Sequence, residues 1–202
     1  MVRVVLFIML ALSFHSLGQD RQGYAIMILP SYRTAGLVSA SATYAPGIML
    51  QRDQTNFHLN AFAEYHINRK VSLKSDSYWF LNSPNEKTSD LQMLRSHFGV
   101  FYHFNKNYSS NWDLKLGVMP GMTYSRQSEI LPTDAILRMK SFAPSVSVAV
   151  GFDYYVWKYF HFFSQVSHTN STARGLYKGS QQMDELIFSA GLGFQIPTRS
   201  QK

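Results

Sequence analysis

The sequence predicts an all-β fold: an eight-stranded antiparallel transmembrane β-barrel, built as an up-and-down meander. Three observations carry this. Bulky apolar residues alternate with small or polar ones at period two, in successive segments separated by turn-like breaks. The 202 residues are 46% hydrophobic, with 15 Phe, 12 Tyr and 3 Trp, yet only 15% are charged, against about 25% in an ordinary soluble domain. Beyond the N-terminal stretch, no run approaches the roughly 18 apolar residues of a spanning helix. A closed barrel is then the remaining way to satisfy every backbone group in lipid.

Residues 1–18, MVRVVLFIMLALSFHSLG, read as a signal peptide. Arg3 supplies the positive start, 4–12 the apolar core, and Ser16 and Gly18 the small residues before a cleavage site. The alternative, an N-terminal membrane anchor, suits a longer apolar run. Residues 19–35 form an N-terminal segment whose YAIMILPS stretch either extends strand 1 or stands apart. The barrel is expected over 36–196, with a polar tail at 197–202.

Strand 1, near 36–48, alternates Val38, Ala40, Ala42 and Tyr44 with Ser39, Ser41 and Thr43. Strand 2, 55–68, puts Phe57, Leu59, Ala61, Ala63, Tyr65 and Ile67 opposite Asn56, His58, Asn60, Glu64 and His66, with Phe62 the exception. After a turn at 68–70, strand 3 sets Val71, Leu73, Trp79 and Leu81 against Lys74, Asp76 and Tyr78. Strand 4, within 91–104, opposes Leu94, Phe98, Val100, Tyr102 and Phe104 to Arg95, His97, Gly99 and His103. Strand 5, 112–124, opposes Trp112, Leu114, Leu116, Val118, Met122 and Tyr124 to Asp113, Lys115, Gly117, Gly121 and Thr123. The cleanest case is strand 6, 142–154, where Phe142, Val146, Val148, Val150, Phe152 and Tyr154 face away from Ser145, Ser147, Gly151 and Asp153. Strand 7, about 158–169, and strand 8, about 184–196, repeat the pattern with Phe160, Phe162, Val166 and with Leu186, Phe188, Leu192, Phe194 and Ile196. Pro120 and Pro144 interrupt strands 5 and 6, and bulges are expected to absorb them.

The bulky face would meet lipid. The other carries Glu64, Lys74, Asp76, Arg95, Asp113, Lys115 and Asp153, which in the narrow bore of eight strands are expected to pair as an interior polar network. Turns at 68–70, 105–111 and 156–157 are expected at one end, and longer connections at 82–90, 126–135 and 171–184 at the other. Two aromatic belts should mark the membrane interfaces, formed by Tyr65, Tyr102, Trp112, Tyr154 and Trp157 near the short turns and by Tyr44, Trp79 and Tyr124 toward the other end.

With these features the chain resembles the small outer-membrane β-barrel proteins of Gram-negative bacteria, especially those of the Bacteroidota type. The resemblance covers about 36–196 and rests on the signal-like start, the passage AFAEYHINRKVSLKSDSYWF and the closing strand ELIFSAGLGFQI. It implies a place in the cell outer membrane, contact with lipid and lipopolysaccharide, and insertion by the barrel-assembly machinery. Such families include membrane-structural proteins, adhesins and lipid-modifying enzymes, so the likeness by itself selects no activity; a non-enzymatic structural or surface-interaction role is the leading expectation.

One stretch, SQVSHTNSTARG, is similar to the penultimate strand of lipid A deacylases of the PagL type. That resemblance implies an alternative, an acyl-ester hydrolase at the outer leaflet, with His168 as base, Ser171 as nucleophile and Glu185 as orienting carboxylate. The family pattern has serine two residues after the histidine, where this chain has Asn170. Against catalysis of other kinds, there is no cysteine, glycine-rich phosphate loop, HExxH or GxSxG motif, and no cofactor is expected. No metal site is expected either. His58 and His66 are about 26 Å apart along one strand, and the approach of His66, His103 and His161 depends on a register the sequence does not reveal. The formal charge of +7 is dispersed singly along the chain, which speaks against nucleic-acid binding. A conducting pore would need a wet channel past Glu64, Lys74, Arg95 and Asp113, for which eight strands leave little room.

Overall fold

The computed structural model describes residues 37–51, 54–83, 92–105, 111–130, 136–157, 159–176 and 179–197, with the backbone alone at 127–130, 136–139, 173–176, 179–181 and 197. The expected signal peptide (1–18), N-terminal segment (19–35) and polar tail beyond Pro197 lie outside them. The strands are β1 Leu37–Met49, β2 Gln54–His66, β3 Val71–Asn82, β4 Gln92–His103, β5 Trp112–Ile130, β6 Ile136–Trp157, β7 Phe160–Leu176, β8 Gly179–Gln182 and β9 Glu185–Pro197. From β1 to β8 each strand pairs antiparallel with the next in the chain, and β9 pairs with both β7 and β1, which closes the ring. The short β8 runs in line with β9 against the end of β7, so the barrel has eight staves in up-and-down order.

The register sets the barrel's dimensions. From Val38 the partners run through Tyr65, Leu73, Val100, Val118, Val148, His168 and Leu186, and the circuit closes at Ile48, ten residues beyond its start. With a rise of about 3.3 Å per residue and strands about 4.8 Å apart, that stagger tilts the strands by about 40°.

Alternation follows the expected faces in all eight staves: inward residues are more buried than their outward neighbours, with Ser41 and Thr43 of β1 only half-buried inside and Val71 and Leu73 of β3 half-buried outside. Phe62, the misfit of strand 2, points inward. Its ring meets Phe163 edge-on at 4.9 Å between centroids and lies 4.1 Å beneath the Lys74 ammonium, so the lumen uses it as packing and as a cation–π partner.

Two expectations are corrected. Among the described residues of the stretches 126–135 and 171–184, 126–130, 171–176 and 179–182 are strand: β5 and β6 stay paired to Ile130↔Ile136, and β7 continues to Leu176. Past the lipid band nothing forces one face to be apolar, so the alternation fades while the hairpins persist. The prolines need no bulge. The β4–β5 register is the same either side of Pro120, with His97↔Gly121 and Val100↔Val118, and pairing lapses between them where the proline has no N–H to give. Pro144 sits one residue beyond Ser145↔Ser171, the last pair joining β6 to β7.

Gly117 shows how the bore is filled. It pairs with Phe101, whose ring lies over it, so a Cβ there would stand 2.6 Å from ring carbons. Phe101 packs in turn on Met119 and Ala149. Gly117→Ala is expected to lower unfolding free energy by about 1–3 kcal/mol by displacing that ring. Equilibrium urea titration of the variant in vesicles would measure it.

Candidate functional site

All seven charged residues expected inside are buried there. They are bridged across the lumen at several heights. Arg95 on β4 bonds Glu185 on β9, four staves away and therefore diametrically opposite. The same carboxylate accepts from Asn56 Nδ2 at 2.9 Å and meets His58 Nε2 at 2.9 Å. Lys74 on β3 bonds Gln165 on β7, again straight across, and stands 3.6 Å from Asp76. Gln165 donates to Asp76 at 2.8 Å, and Tyr78 meets Ser167 at 3.2 Å. Nearer the short turns, Lys115 Nζ donates to both Glu64 and Asp153 at 2.6 Å.

Sequence reasoning did not single out Asn56, His58, Tyr78, Gln165 or Ser167 as partners in this network. Their inward parity was the available signal, but which of them meet across the bore depends on the ten-residue stagger.

Outside, an apolar face runs around the barrel, interrupted by the outward-facing Ser75, Ser77, Ser96, Ser164 and His168. Tyr44, Tyr65, Trp79, Tyr102, Trp112, Tyr154 and Trp157 are exposed and Tyr124 is partly so. Near the short turns Trp112 stacks on Phe152, Trp157 on Phe160, and Tyr102 meets Phe104 edge-on.

His168, Ser171 and Glu185 are not brought together. His168 points out of the barrel between Val148 and Leu186, below the end of β7 rather than at its rim. Ser171, three residues on, faces inward and donates to the Met183 carbonyl at 3.3 Å. Glu185 also faces inward, held by Arg95, His58 and Asn56. Asn170, which shares the outward parity of His168, donates to Asp184 at 2.7 Å.

The register does bring two histidines together. His66 on β2 and His103 on β4 flank Ser72 of β3, and their ring centroids are 4.8 Å apart. Glu64 lies beside them: ligand-type atoms of Glu64, His66 and His103 all fall within 4.8 Å of one another. His161 of β7 instead packs against Tyr155, with centroids 5.7 Å apart.

No protein-family model and no curated protein sequence matches the chain. Solved structures with a similar fold include outer membrane protein OprG from Pseudomonas aeruginosa, with TM-score 0.57 at 15% identity over 81% of this chain and 97% of that one. Neisserial surface protein A gives TM-score 0.54 at 16% identity, over 80% and 96%. The attachment invasion locus protein Ail of Yersinia pestis, solved with the heparin analogue sucrose octasulfate, gives 0.53 at 12%, over 81% and 100%. At such identities the likeness is one of fold.

Proposed function

We propose that this chain is a non-enzymatic protein of the Gram-negative outer membrane, of the small-barrel kind common in Bacteroidota, with a structural or surface-interaction role. One observation carries the reading: side chains bonded straight across the bore, Arg95 to Glu185 and Lys74 to Gln165, occupy the space a pore would need. The apolar outer face supports a lipid and lipopolysaccharide environment, reached through the barrel-assembly machinery after a signal peptide is removed. In that setting the short-turn end faces the periplasm, and the β5–β6 and β7–β8 hairpins project outward, where partners meet the protein.

The alternative, a lipid A acyl-ester hydrolase, draws on the outward-facing His168. Neither partner expected for it shares that face, because Ser171 and Glu185 point into the lumen. Mass spectra of lipid A from cells with and without the chain are expected to be the same, with the protein recovered in the outer-membrane fraction. Loss of an acyl chain that disappears again in His168→Ala would replace this reading with the hydrolase.

A further inference from the structure

At the short-turn end of the lumen, two imidazoles and a carboxylate converge on one point from two strands. Glu64 and His66 stand two apart on the inward face of β2. His103 reaches the same place from β4 because β3 presents only the small Ser72 between them. The ligand-type atoms of the three lie within 4.8 Å of one another, and all three side chains are buried.

The state of His66 calls for a ligand. Its side chain is 5% exposed, yet neither ring nitrogen has a hydrogen-bond partner among the described residues. A buried imidazole so placed is costly unless something else meets it. His103 is held differently. Asp113 Oδ2 meets its Nδ1 at 2.5 Å, leaving Nε2 directed at Ser72 Oγ, 2.8 Å away, and Glu64 Oε1, 3.5 Å away. A carboxylate behind one imidazole nitrogen, with the other aimed into a site, is the arrangement that orients metal-binding histidines.

The buried charges nearest the site, among the described residues, are the carboxylates of Glu64, Asp113 and Asp153 and the ammonium of Lys115, with Lys74 across from Glu64 and beside Asp76.

We propose that Glu64, His66 and His103 form a binding site for a divalent first-row transition metal, best matched by zinc, with Asp113 as a positioning residue. Two imidazole nitrogens and one carboxylate oxygen suit zinc with a fourth position left for Ser72 or water. A tetrahedral ion about 2 Å from its ligands needs donors about 3.3 Å apart, and the His66 ring closes the gap by rotating, since it has no hydrogen bond to break. Glu64 keeps its second oxygen on Lys115.

The test uses the full chain without a polyhistidine tag, extracted in detergent, loaded with zinc and dialysed against metal-free buffer. Elemental mass spectrometry is expected to find one zinc per chain, and cobalt in its place should give the visible spectrum of a low-coordinate nitrogen–oxygen site. His66→Ala and His66→Asn should retain no zinc while keeping the heat-sensitive gel migration of a folded barrel. Asp113→Asn should weaken binding about 10–100-fold, and His168→Ala should leave it unchanged. Sub-stoichiometric zinc in the folded parent chain would overturn the proposal, as would equal retention by a folded His66 variant.

Discussion

Replacing Arg95 with methionine is expected to destabilise the barrel by about 3–5 kcal/mol, the range for removing one partner of a buried ion pair. Arg95 and Glu185 are both fully buried and meet from opposite walls. Without the guanidinium, the fully buried Glu185 keeps Asn56 and His58 but loses its positively charged partner. The double variant Arg95→Met with Glu185→Gln should recover most of the loss, because the uncompensated charge is then gone and the amide still bonds its neighbours. Urea unfolding in lipid vesicles reads both. The exposed Trp79, Trp112 and Trp157 report the transition by fluorescence as they leave lipid for water. If the single variant is as stable as its parent, the cross-lumen pair contributes nothing and the closed-bore reading loses its main support.

That pair also marks the boundary of what could be read from the chain. Which face each residue occupies is local information, since period two needs only a residue's neighbours. Lys74, Asp76, Lys115 and Asp153 could therefore be assigned to the interior before any strand was placed. Which of them touch is not local. The resemblance to lipid A deacylases offers Glu185 as the orienting carboxylate of an alternative hydrolase site, whereas the stagger sends it across the lumen to Arg95. The same stagger joins His66 to His103 over Ser72, two residues that no motif spacing connects. Phe62 looked like a break in the pattern because apolar residues are expected outside, but a narrow bore also needs bulk to fill it. Strand ends were the least legible feature. Beyond the lipid band the constraint that writes the alternation ceases, although the β5–β6 hydrogen bonds run on to Ile130 and Ile136.

The outer face sets up the complementary expectation. Val118 is exposed, lies between Val100 and Val148 on the neighbouring strands, and falls between the two aromatic belts. Val118→Arg should therefore lower unfolding free energy in vesicles by about 2–4 kcal/mol, the cost of a cationic side chain near the bilayer midplane. The same substitution at Val156, beside Trp157 at the short-turn end, should cost about 0–1 kcal/mol because the guanidinium there reaches the headgroups. Both are exposed valines on outward-facing positions, so side-chain volume cancels; Val118 is paired on both sides and lies mid-band, whereas Val156 is skipped by the β6–β7 register between Tyr155 and Trp157, so both its place in the ladder and its depth in the lipid favour the smaller penalty. Equal, small penalties at both positions would mean that the apolar belt meets something other than lipid. A large penalty confined to Val118 would place the middle of the bilayer at the level of Val100, Val118 and Val148, and with it put the Glu64–His66–His103 cluster at the short-turn mouth of the barrel, outside the apolar band and within reach of ions in water.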